Sequence, residues 1–300
     1  MITVNQLTKS FDGFQALSRL DMNVKKGSIY GLVGTNGAGK TTVIKHITGI
    51  YQGDQGQVQM DGELVYDNKK IKERMGYVPD DLYFFGGYGL GEMGKFYEGI
   101  YPNWSQPRFL SMIQRFGLDS RQKISSFSKG MQKQAMFILT LSTMPDYLIL
   151  DEPIDGLDPI IRKLVWKYII DDVAEREMTV LVSSHNLREM ENICDSIGII
   201  SNGKMMIERD LDELRSDIHK VQVAFPAEKD IASFLASLQV LHREKRGSVE
   251  LLIIRNRKEE VENVLRKAQP LVFDMLPLTL EEIFIYELGG ADDEIQGIIF

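Results

Sequence analysis

The 300-residue sequence predicts an α/β protein whose core is a largely parallel sheet, followed by a smaller α+β domain. Short apolar runs alternate with helical patterns over residues 1–210. The run at 28–34 is nearly all apolar, as a strand covered on both faces should be, and a glycine-rich turn joins it to a helix. After about residue 210 the order of elements changes. We therefore expect two domains, 1–210 and 211–300.

The first domain opens with β-like runs at 2–7, 20–24 and 28–34, and Gly49 closes the helix that follows. A polar, glycine-rich stretch to about Asp61-Gly62 predicts a region of β-turns. Helical patterns run between about Gly91 and Leu118, and another helix begins near Lys129. These helices fall within a helical subdomain expected at about 85–145.

A further buried strand is predicted at 146–152, ahead of a helix that begins at Asp158-Pro159. Asp is a favourable helix cap, and Pro suits the first helical position. A strand at 179–185 precedes a helix from Asn186. Asn202-Gly203 predicts a type I′ hairpin between strands near 197–201 and 204–208.

The second domain follows the order strand, helix, strand, strand, helix, strand. The predicted strands include 219–225, 249–254 and 271–275, and the helices are 229–238 and 258–268. This order resembles a small ferredoxin-like sandwich. A last helix begins at Thr279, where Thr279 and Glu282 form a capping box.

Composition excludes several classes of function. The net charge of −8 disfavours binding to nucleic acid, which requires a basic stripe or patch. The single cysteine, Cys194, allows no internal disulfide and favours a reducing compartment. The N-terminal residues lack a signal peptide, and no run of about 18 apolar residues occurs. We expect a cytoplasmic protein that reaches a membrane only through a partner.

Residues 34–41 read GTNGAGKT, which fits the phosphate-binding pattern G-x-x-x-x-G-K-[ST] between a buried strand and a helix. The backbone N–H groups of such a loop wrap phosphates, and the helix N-terminus adds partial positive charge. Lys40 is expected to reach the β- and γ-phosphates, and the Thr41 hydroxyl to hold Mg²⁺. The predicted nucleotide-binding residues are Gly34, Thr35, Asn36, Gly37, Ala38, Gly39, Lys40, Thr41 and Thr42.

Two further motifs carry polar groups suited to nucleotide chemistry. The apolar strand 147–150 ends in Asp151 and Glu152, at the edge where α/β sheets bind ligands. Asp151 is predicted to hold the Mg²⁺ shell, and Glu152 to polarise an attacking water. Ser128 and Gly130, in FSKGMQ at the start of a helix, form a second candidate anion site.

Together these motifs resemble the nucleotide-binding subunit of ABC transporters. The resemblance rests on GTNGAGKT, FSKGMQ, LILDEP, Gly156-Leu157-Asp158 and His185, in that order, and covers about residues 1–210. It implies the P-loop NTPase fold of the ABC type, ATP and Mg²⁺ as cofactors, and a dimer that encloses two ATP. Each ATP is then held by one subunit's cradle and the other subunit's FSKGM loop.

The resemblance also implies roles for individual residues. Phe11 stands where the family places an aromatic ring against adenine, and Asp158 belongs to the loop that communicates across the dimer. His185 resembles the switch histidine that contacts the γ-phosphate, and it joins Lys40 and Glu152 as a predicted catalytic residue. The sequence departs from the family at Asp80, where a Gln is usual; we expect the shorter carboxylate to reach Mg²⁺ through water. The signature reads FSKGM rather than LSGGQ.

The segment after Asp80 is rich in aromatic residues. In the family this helical insert receives the coupling helix of a transmembrane partner, and exposed aromatic side chains suit such a contact. Aromatic residues that fill the core are an equally good interpretation. The residues concerned are Tyr83, Phe84, Phe85, Tyr88, Phe96, Tyr97, Tyr101 and Trp104.

The leading hypothesis is an ATPase that drives a membrane exporter through a permease subunit, at the inner face of the cell membrane. Export rests on resemblance to drug- and lipid-exporter ATPases, including the LTLEEIF close. Homodimer and heterodimer both remain open. The alternative is an ABC ATPase that acts in assembly or signalling without transport. A P-loop kinase does not explain FSKGM.

Overall fold

The computed structural model describes residues 1–226 and 232–287. Contacts divide the chain into two compact units. The first contains residues 1–185 and 198–208, and the second contains 186–197 and the described residues from 209 onward. The short segment that follows His185 therefore belongs with the C-terminal part of the chain.

The first unit contains two sheets, apart from the first residues of β9 and the last of β10. A four-stranded sheet has the order β2-β1-β4-β5, and a six-stranded sheet has the order β10-β9-β3-β8-β7-β6. The four-stranded sheet is antiparallel. Its strands are β1 (Ile2–Phe11), β2 (Phe14–Val24), β4 (Gln55–Met60) and β5 (Glu63–Leu64). The six-stranded sheet is built from β3 (Ile29–Val33), β6 (Met75–Val78), β7 (Tyr147–Leu150), β8 (Thr179–Ser184), β9 (Ser196–Ser201) and β10 (Lys204–Asp210).

The parallel strands of the larger sheet set the position of the site. Strands β6, β7, β8 and β3 pair in parallel register. Every residue of β3, β7 and β8 is buried, which explains their nearly continuous apolar sequences. Because the strands run in one direction, the residues that follow β3, β7 and β8 meet at one edge of the sheet.

Side chains cap several helices of this unit, and one of these caps, Asp158 ahead of Pro159, is predicted from the sequence. Ser105 caps α4, Ser128 caps α5 and Asp158 caps α6, with Pro159 at the first helical position. The helices of this unit are α1 (Lys40–Ile47), α2 (Lys69–Glu73), α3 (Leu90–Ile100), α4 (Gln106–Phe116), α5 (Lys129–Ser142) and α6 (Pro159–Arg176).

The second unit contains a four-stranded antiparallel sheet of order β12-β13-β11-β14. This is the strand order of a ferredoxin-like sandwich, as the sequence predicts. Its strands are β11 (Ile218–Ala224), β12 (Val240–Arg246), β13 (Val249–Arg255) and β14 (Val272–Leu276). Its helices are α7 (Leu187–Met190), α8 (Leu211–Asp217), α9 (Ala232–Leu235), α10 (Lys258–Lys267) and α11 (Leu280–Glu287).

Details of the predicted elements need correction. The stretch before Asp61 contains strand β4, and the turn occupies only Asp61-Gly62, both at positive φ. Strands β1 and β2 extend to a tight turn at Asp12-Gly13, and α2 and α8 are additional to the sequence prediction. Part of the predicted helix 229–238, and the last 13 positions of the predicted domain 211–300, lie outside the described residues.

Candidate nucleotide site

The glycine-rich loop 34–39 connects β3 to α1. Gly37 and Gly39 have φ of 83° and 110°, a region that favours glycine. A Cβ at Gly34 would lie 2.4 Å from the carbonyl oxygen of Ile200, so the backbone approaches its neighbour too closely for any side chain. No side chain caps the N-terminus of α1, which leaves its N–H groups directed at the loop. This cradle fits the phosphates of a nucleotide.

Lys40, the first residue of α1, is buried and turns back into this loop. Its Nζ donates hydrogen bonds to the carbonyl oxygens of Gly34, at 2.7 Å, and Thr35, at 3.2 Å. The same Nζ lies 3.1 Å from Oε1 of Glu152, the residue predicted to act as the general base. Thr41 follows Lys40 on the exposed side of α1, and Thr42 is half-buried.

The two acids at the end of β7 are held in place by a serine on the neighbouring strand. The Ser183 hydroxyl donates to Oδ1 of Asp151 at 2.7 Å and accepts a hydrogen bond from the Glu152 backbone N–H at 3.0 Å. Asp151 is almost completely buried, at 1% exposure. One hydroxyl therefore fixes both acids, although nothing in the motif at 147–152 points to Ser183.

Glu152 occupies the centre of the site. Its φ is 44°, an uncommon backbone conformation for a residue with a side chain. Its Oε2 lies 3.0 Å from Nδ1 of His185, on the opposite side from Lys40. The structure therefore brings the three predicted catalytic residues together, with the Glu152 carboxylate between the Lys40 ammonium and the His185 ring.

A second lysine fixes the chain that follows Glu152. Lys133 of α5 is buried, and its Nζ donates to the carbonyl oxygens of Glu152, at 2.8 Å, and Asp155, at 3.1 Å. Burial lowers the pKa of Lys133. No sequence motif points to this residue. The sequence signal is weak: Lys133 lies just ahead of the apolar run 135–139 of the same predicted helix.

Asp80, the residue that departs from the family pattern, follows β6 and Pro79. Burial raises the pKa of its carboxyl group, and the nearby charge of Lys133 acts in the opposite direction. Asp80 and Lys133 line one open cavity of about 470 Å³.

The remaining predicted residues lie around this centre. The Ser128 Oγ accepts a hydrogen bond from the Met131 N–H at 3.2 Å, and Asp158 caps α6 in the same way. A Cβ at Gly130 would lie 3.0 Å from the Gly156 carbonyl oxygen, so the starts of α5 and of the 156–158 loop are neighbours. In this single chain, the structure assigns Ser128 and Asp158 contacts within their own helices rather than with Lys40 or Glu152.

Phe11 lies at the end of β1 and is 38% exposed. Its ring centroid is 5.4 Å from that of Tyr51, and the Lys9 ammonium lies 5.5 Å from the same ring. The ring thus packs against Tyr51 and Lys9 and stays partly exposed, which suits a residue that stacks on a flat ligand. Tyr51 was not identified from the sequence.

Comparison with known proteins defines the class to which this fold and site belong. Residues 17–155 match the ABC transporter family. The ABC transporter ATP-binding protein YtrB of Bacillus subtilis is 32% identical over 290 residues, which cover 97% of this chain and 99% of that protein. The bacitracin transport ATP-binding protein BcrA of Bacillus licheniformis is 34% identical, over 72% of this chain and 71% of that protein.

Solved structures of ABC ATP-binding proteins have the same fold as this chain. The ATP-binding subunit of an ABC transporter superposes with a TM-score of 0.67 at 26% identity, covering 72% of this chain and 92% of the other. The cassette MJ0796, a dimer bound to ADP and Pi in a post-hydrolysis state, has the same fold at a TM-score of 0.64 and 20% identity.

The chain belongs to the ATP-binding proteins of ABC transporters, and it is an ATP-binding ATPase of the ABC type. Among the residues that the structure describes, no helix is both long and apolar enough to cross a bilayer.

Proposed function

We propose that this chain hydrolyses ATP·Mg²⁺ at two sites shared within a dimer and thereby drives a membrane-embedded partner, as the motor of an exporter. The observation that carries the proposal is the convergence of Lys40, Glu152 and His185 beside the glycine-rich cradle.

The chain's own groups fit the phosphates and a divalent cation. The cradle N–H groups and Lys40 would hold the β- and γ-phosphates, and the Thr41 hydroxyl and Asp151 would hold the cation. Carboxylate and hydroxyl oxygens are the ligands that Mg²⁺ prefers. Asp80 would contribute through water. Bound Mg²⁺ would offset the negative charge of the phosphates.

Glu152 is proposed to act as the general base. In this structure its carboxylate is paired with the Lys40 ammonium, 3.1 Å away. A γ-phosphate beside Lys40 offers a competing anion, so nucleotide binding would free the carboxylate to accept a proton from water. His185, which shares the carboxylate at 3.0 Å, would then donate to the phosphate.

A dimer completes the site. Ser128 and Gly130 lie at the exposed start of α5, where the helix N-terminus can accept the phosphate of an ATP held by another subunit. The dimeric state of MJ0796, which has the same fold, supports this arrangement. Because this chain carries one complete set of motifs, a homodimer is the simplest assembly; a second ATPase subunit would give a heterodimer.

The surface proposed to meet the membrane partner is aromatic. Tyr83 is 75% exposed, and three neighbouring rings are each about two-fifths exposed: Phe85, Tyr88 and Phe96. Phe85 contacts each of the other three. Aromatic anchors dominate the energetics of many protein interfaces. A coupling helix of a permease subunit at the inner face of the cell membrane is the proposed occupant.

Export is the proposed direction because relatives that cover most of this chain include a protein named for bacitracin transport. A further relative, the probable multidrug ABC transporter ATP-binding protein YbhF of Escherichia coli, is 30% identical over 81% of this chain and 42% of that protein. The alternative, an ABC ATPase for assembly or signalling, predicts partners that do not span the membrane.

Affinity purification from native membranes in mild detergent tests this proposal. The tagged chain should recover a multi-span membrane protein at about one to one. Tyr83→Glu combined with Phe85→Glu should lose that protein, and Ile170→Glu, a substitution at a residue 44% exposed on α6, should retain it. Recovery of water-soluble partners alone, with ATPase activity intact, would contradict the exporter proposal.

A further inference from the structure

The segment that follows His185 belongs to the C-terminal unit. His185 lies between the buried strand β8 and the short helix α7, whose N-cap is Asn186. Residues 186–197 group with the second unit, whereas 1–185 group with the first. The division of the chain therefore falls directly after a predicted catalytic residue. Because one peptide bond joins His185 to each neighbour, the position of its backbone depends on α7 as well as on β8.

Helix α7 is too short to maintain its own conformation. It spans only four residues, Leu187–Met190, and an isolated helix of this length is not stable in water. Leu187 and Met190 are buried, with 2% and 0% exposure, so one side of the helix is held by packing. Helix α11, in the same unit, lies against α7. Contacts from outside α7 must therefore keep it in place.

Two polar contacts tie α7 to the first turn of α11. The Nε and Nη2 groups of Arg188 donate hydrogen bonds to one carboxylate oxygen of Glu281, at 2.9 and 2.8 Å. Glu191, the C-cap of α7, accepts a hydrogen bond from the Leu280 N–H at 3.2 Å. Leu280 is the first residue of α11, so Glu191 satisfies an N–H group that the helix itself leaves unpaired. Each helix thus contributes a carboxylate to the other.

The surroundings of these contacts strengthen them. The Arg188 side chain is 73% exposed, but the Glu281 side chain is only 18% exposed, so water screens this pair less than an ordinary surface pair. Arg215 of α8 also donates to the backbone carbonyl oxygen of Glu191. Two helices of the C-terminal unit, α8 and α11, therefore hold the end of α7.

We propose that Arg188, Glu191 and Glu281 are positioning residues for His185: α11 fixes α7, and α7 fixes the backbone of the histidine that precedes it. The proposal rests on the proposed role of His185 in hydrolysis. These three residues act through His185 and not on ATP itself. The C-terminal unit thereby sets the rate at which bound ATP is hydrolysed.

Steady-state ATP hydrolysis by the full chain, in the assembly in which it is purified, tests this positioning. Arg188→Ala combined with Glu191→Ala removes both polar contacts. The double variant should lower kcat roughly fivefold and change KM for ATP by less than about twofold, because the phosphate cradle is untouched. Arg188→Lys keeps the charge and should stay within about twofold of wild type in kcat. An unchanged or raised kcat in the double variant would overturn the proposal.

Glu281→Gln and Glu262→Gln form a matched pair of substitutions within the second unit. Glu281 pairs with α7, whereas Glu262 of α10 lies 4.0 Å from Arg266 of its own helix. Glu281→Gln should lower kcat at least about threefold, and Glu262→Gln should leave it unchanged. Equal values of kcat for the two variants would overturn the proposal.

A His185→Ala background separates this inference from the proposed function. In single-turnover assays of that variant, adding Arg188→Ala and Glu191→Ala should change the rate by less than about twofold, since no histidine remains to be positioned. A loss as large as in the wild-type background would show that these residues act by another route and would overturn the inference alone. Hydrolysis by His185→Ala at the wild-type rate would instead contradict the proposed role of His185, and the inference with it.

Discussion

At the scale of single residues, one carboxylate lies between two competing partners. Glu152 contacts Lys40 on one side and His185 on the other, and Ser183 and Lys133 hold its backbone. Glu152, the proposed general base, is thus positioned by Ser183 and Lys133, which have no proposed part in the reaction. This explains why the backbone of Glu152 is maintained at a positive φ.

The residues of the site differ in how well the sequence reveals them. Lys40, Asp151 and Glu152 belong to motifs that are contiguous in sequence, so their spacing alone identifies them. Ser183 and Lys133 act on the backbone of residues 31 and 19 positions away. Such contacts arise only when the strands and helices are assembled, and no local pattern encodes them.

Replacing Phe11 tests the adenine contact. Loss of a stacked ring costs about 1–3 kcal/mol per base, so Phe11→Ala should raise Kd for ATP roughly tenfold. Phe14→Ala removes a ring that is 69% exposed across the same turn and should leave Kd unchanged. Fluorescence titration with a nucleotide analogue measures both values. Equal affinities of the two variants would remove Phe11 from the adenine site.

At the scale of elements, helix α6 is tied to α4 by a buried charge. Arg108 donates two hydrogen bonds to the carboxylate of Asp172, at 2.9 and 2.6 Å, and Arg176 lies 3.1 Å from the same group. The Asp172 side chain is 4% exposed. A carboxylate so deeply buried depends on its partners, and they depend on it.

Asp172→Ala should therefore destabilise the first unit by about 3 kcal/mol, because it leaves two guanidinium groups without their anion. The neighbouring Asp171 pairs with Lys167 at the surface, where its side chain is 48% exposed, and Asp171→Ala should cost less than about 1 kcal/mol. Chemical denaturation of the two variants measures the difference. Comparable losses would show that the α4–α6 ion pair contributes little.

Helix α11 begins with a capping box that also takes part in an ion pair. Glu282 accepts from the Thr279 N–H at 3.1 Å and from Lys220 at 2.5 Å. Burial raises the pKa of Glu282, but these hydrogen bonds outweigh it and leave the pKa below its ordinary value of 4.5. The stabilisation is therefore complete above that value and is lost as the pH falls below it.

Glu282→Gln should destabilise the second unit by about 1 kcal/mol at neutral pH. The difference from wild type should shrink toward zero as the pH is lowered below about 4, where wild-type Glu282 also becomes neutral. Denaturation curves at a series of pH values provide the measurement. A difference that stays constant with pH would mean that the carboxylate charge is not responsible.

Elements with strong end signals were predicted well, and elements without them were missed. Asp158-Pro159 and Asn202-Gly203 mark a helix start and a hairpin, and both occur as predicted. Strand β4 has the polar sequence QGQVQM and resembles a turn region. Its Gly56 has a φ of 78°, and a Cβ there would lie 2.4 Å from the Asn5 carbonyl oxygen, so the glycine permits a bulge against β1 rather than ending a strand.

At the scale of the whole molecule, a single chain does not bring the proposed parts of the nucleotide site together. The motif at the start of α5 exposes Ser128, and the cradle and Glu152 lie at the edge of the parallel sheet. Two copies arranged around ATP would bring these parts together, whereas the described helices offer no membrane span. The proposed function makes ATP-dependent dimerisation the step at which hydrolysis would drive the membrane partner.

The most direct test of this account is the Glu152→Gln variant of the full chain, examined by sedimentation with and without ATP·Mg²⁺ alongside a hydrolysis assay. We expect the variant to bind ATP, to become a stable dimer in its presence, and to lose nearly all turnover. Lys40→Ala should fail to dimerise, because it removes the ammonium that is proposed to contact the phosphates. Hydrolysis by Glu152→Gln at the wild-type rate, or a population that stays monomeric with ATP bound, would contradict the account.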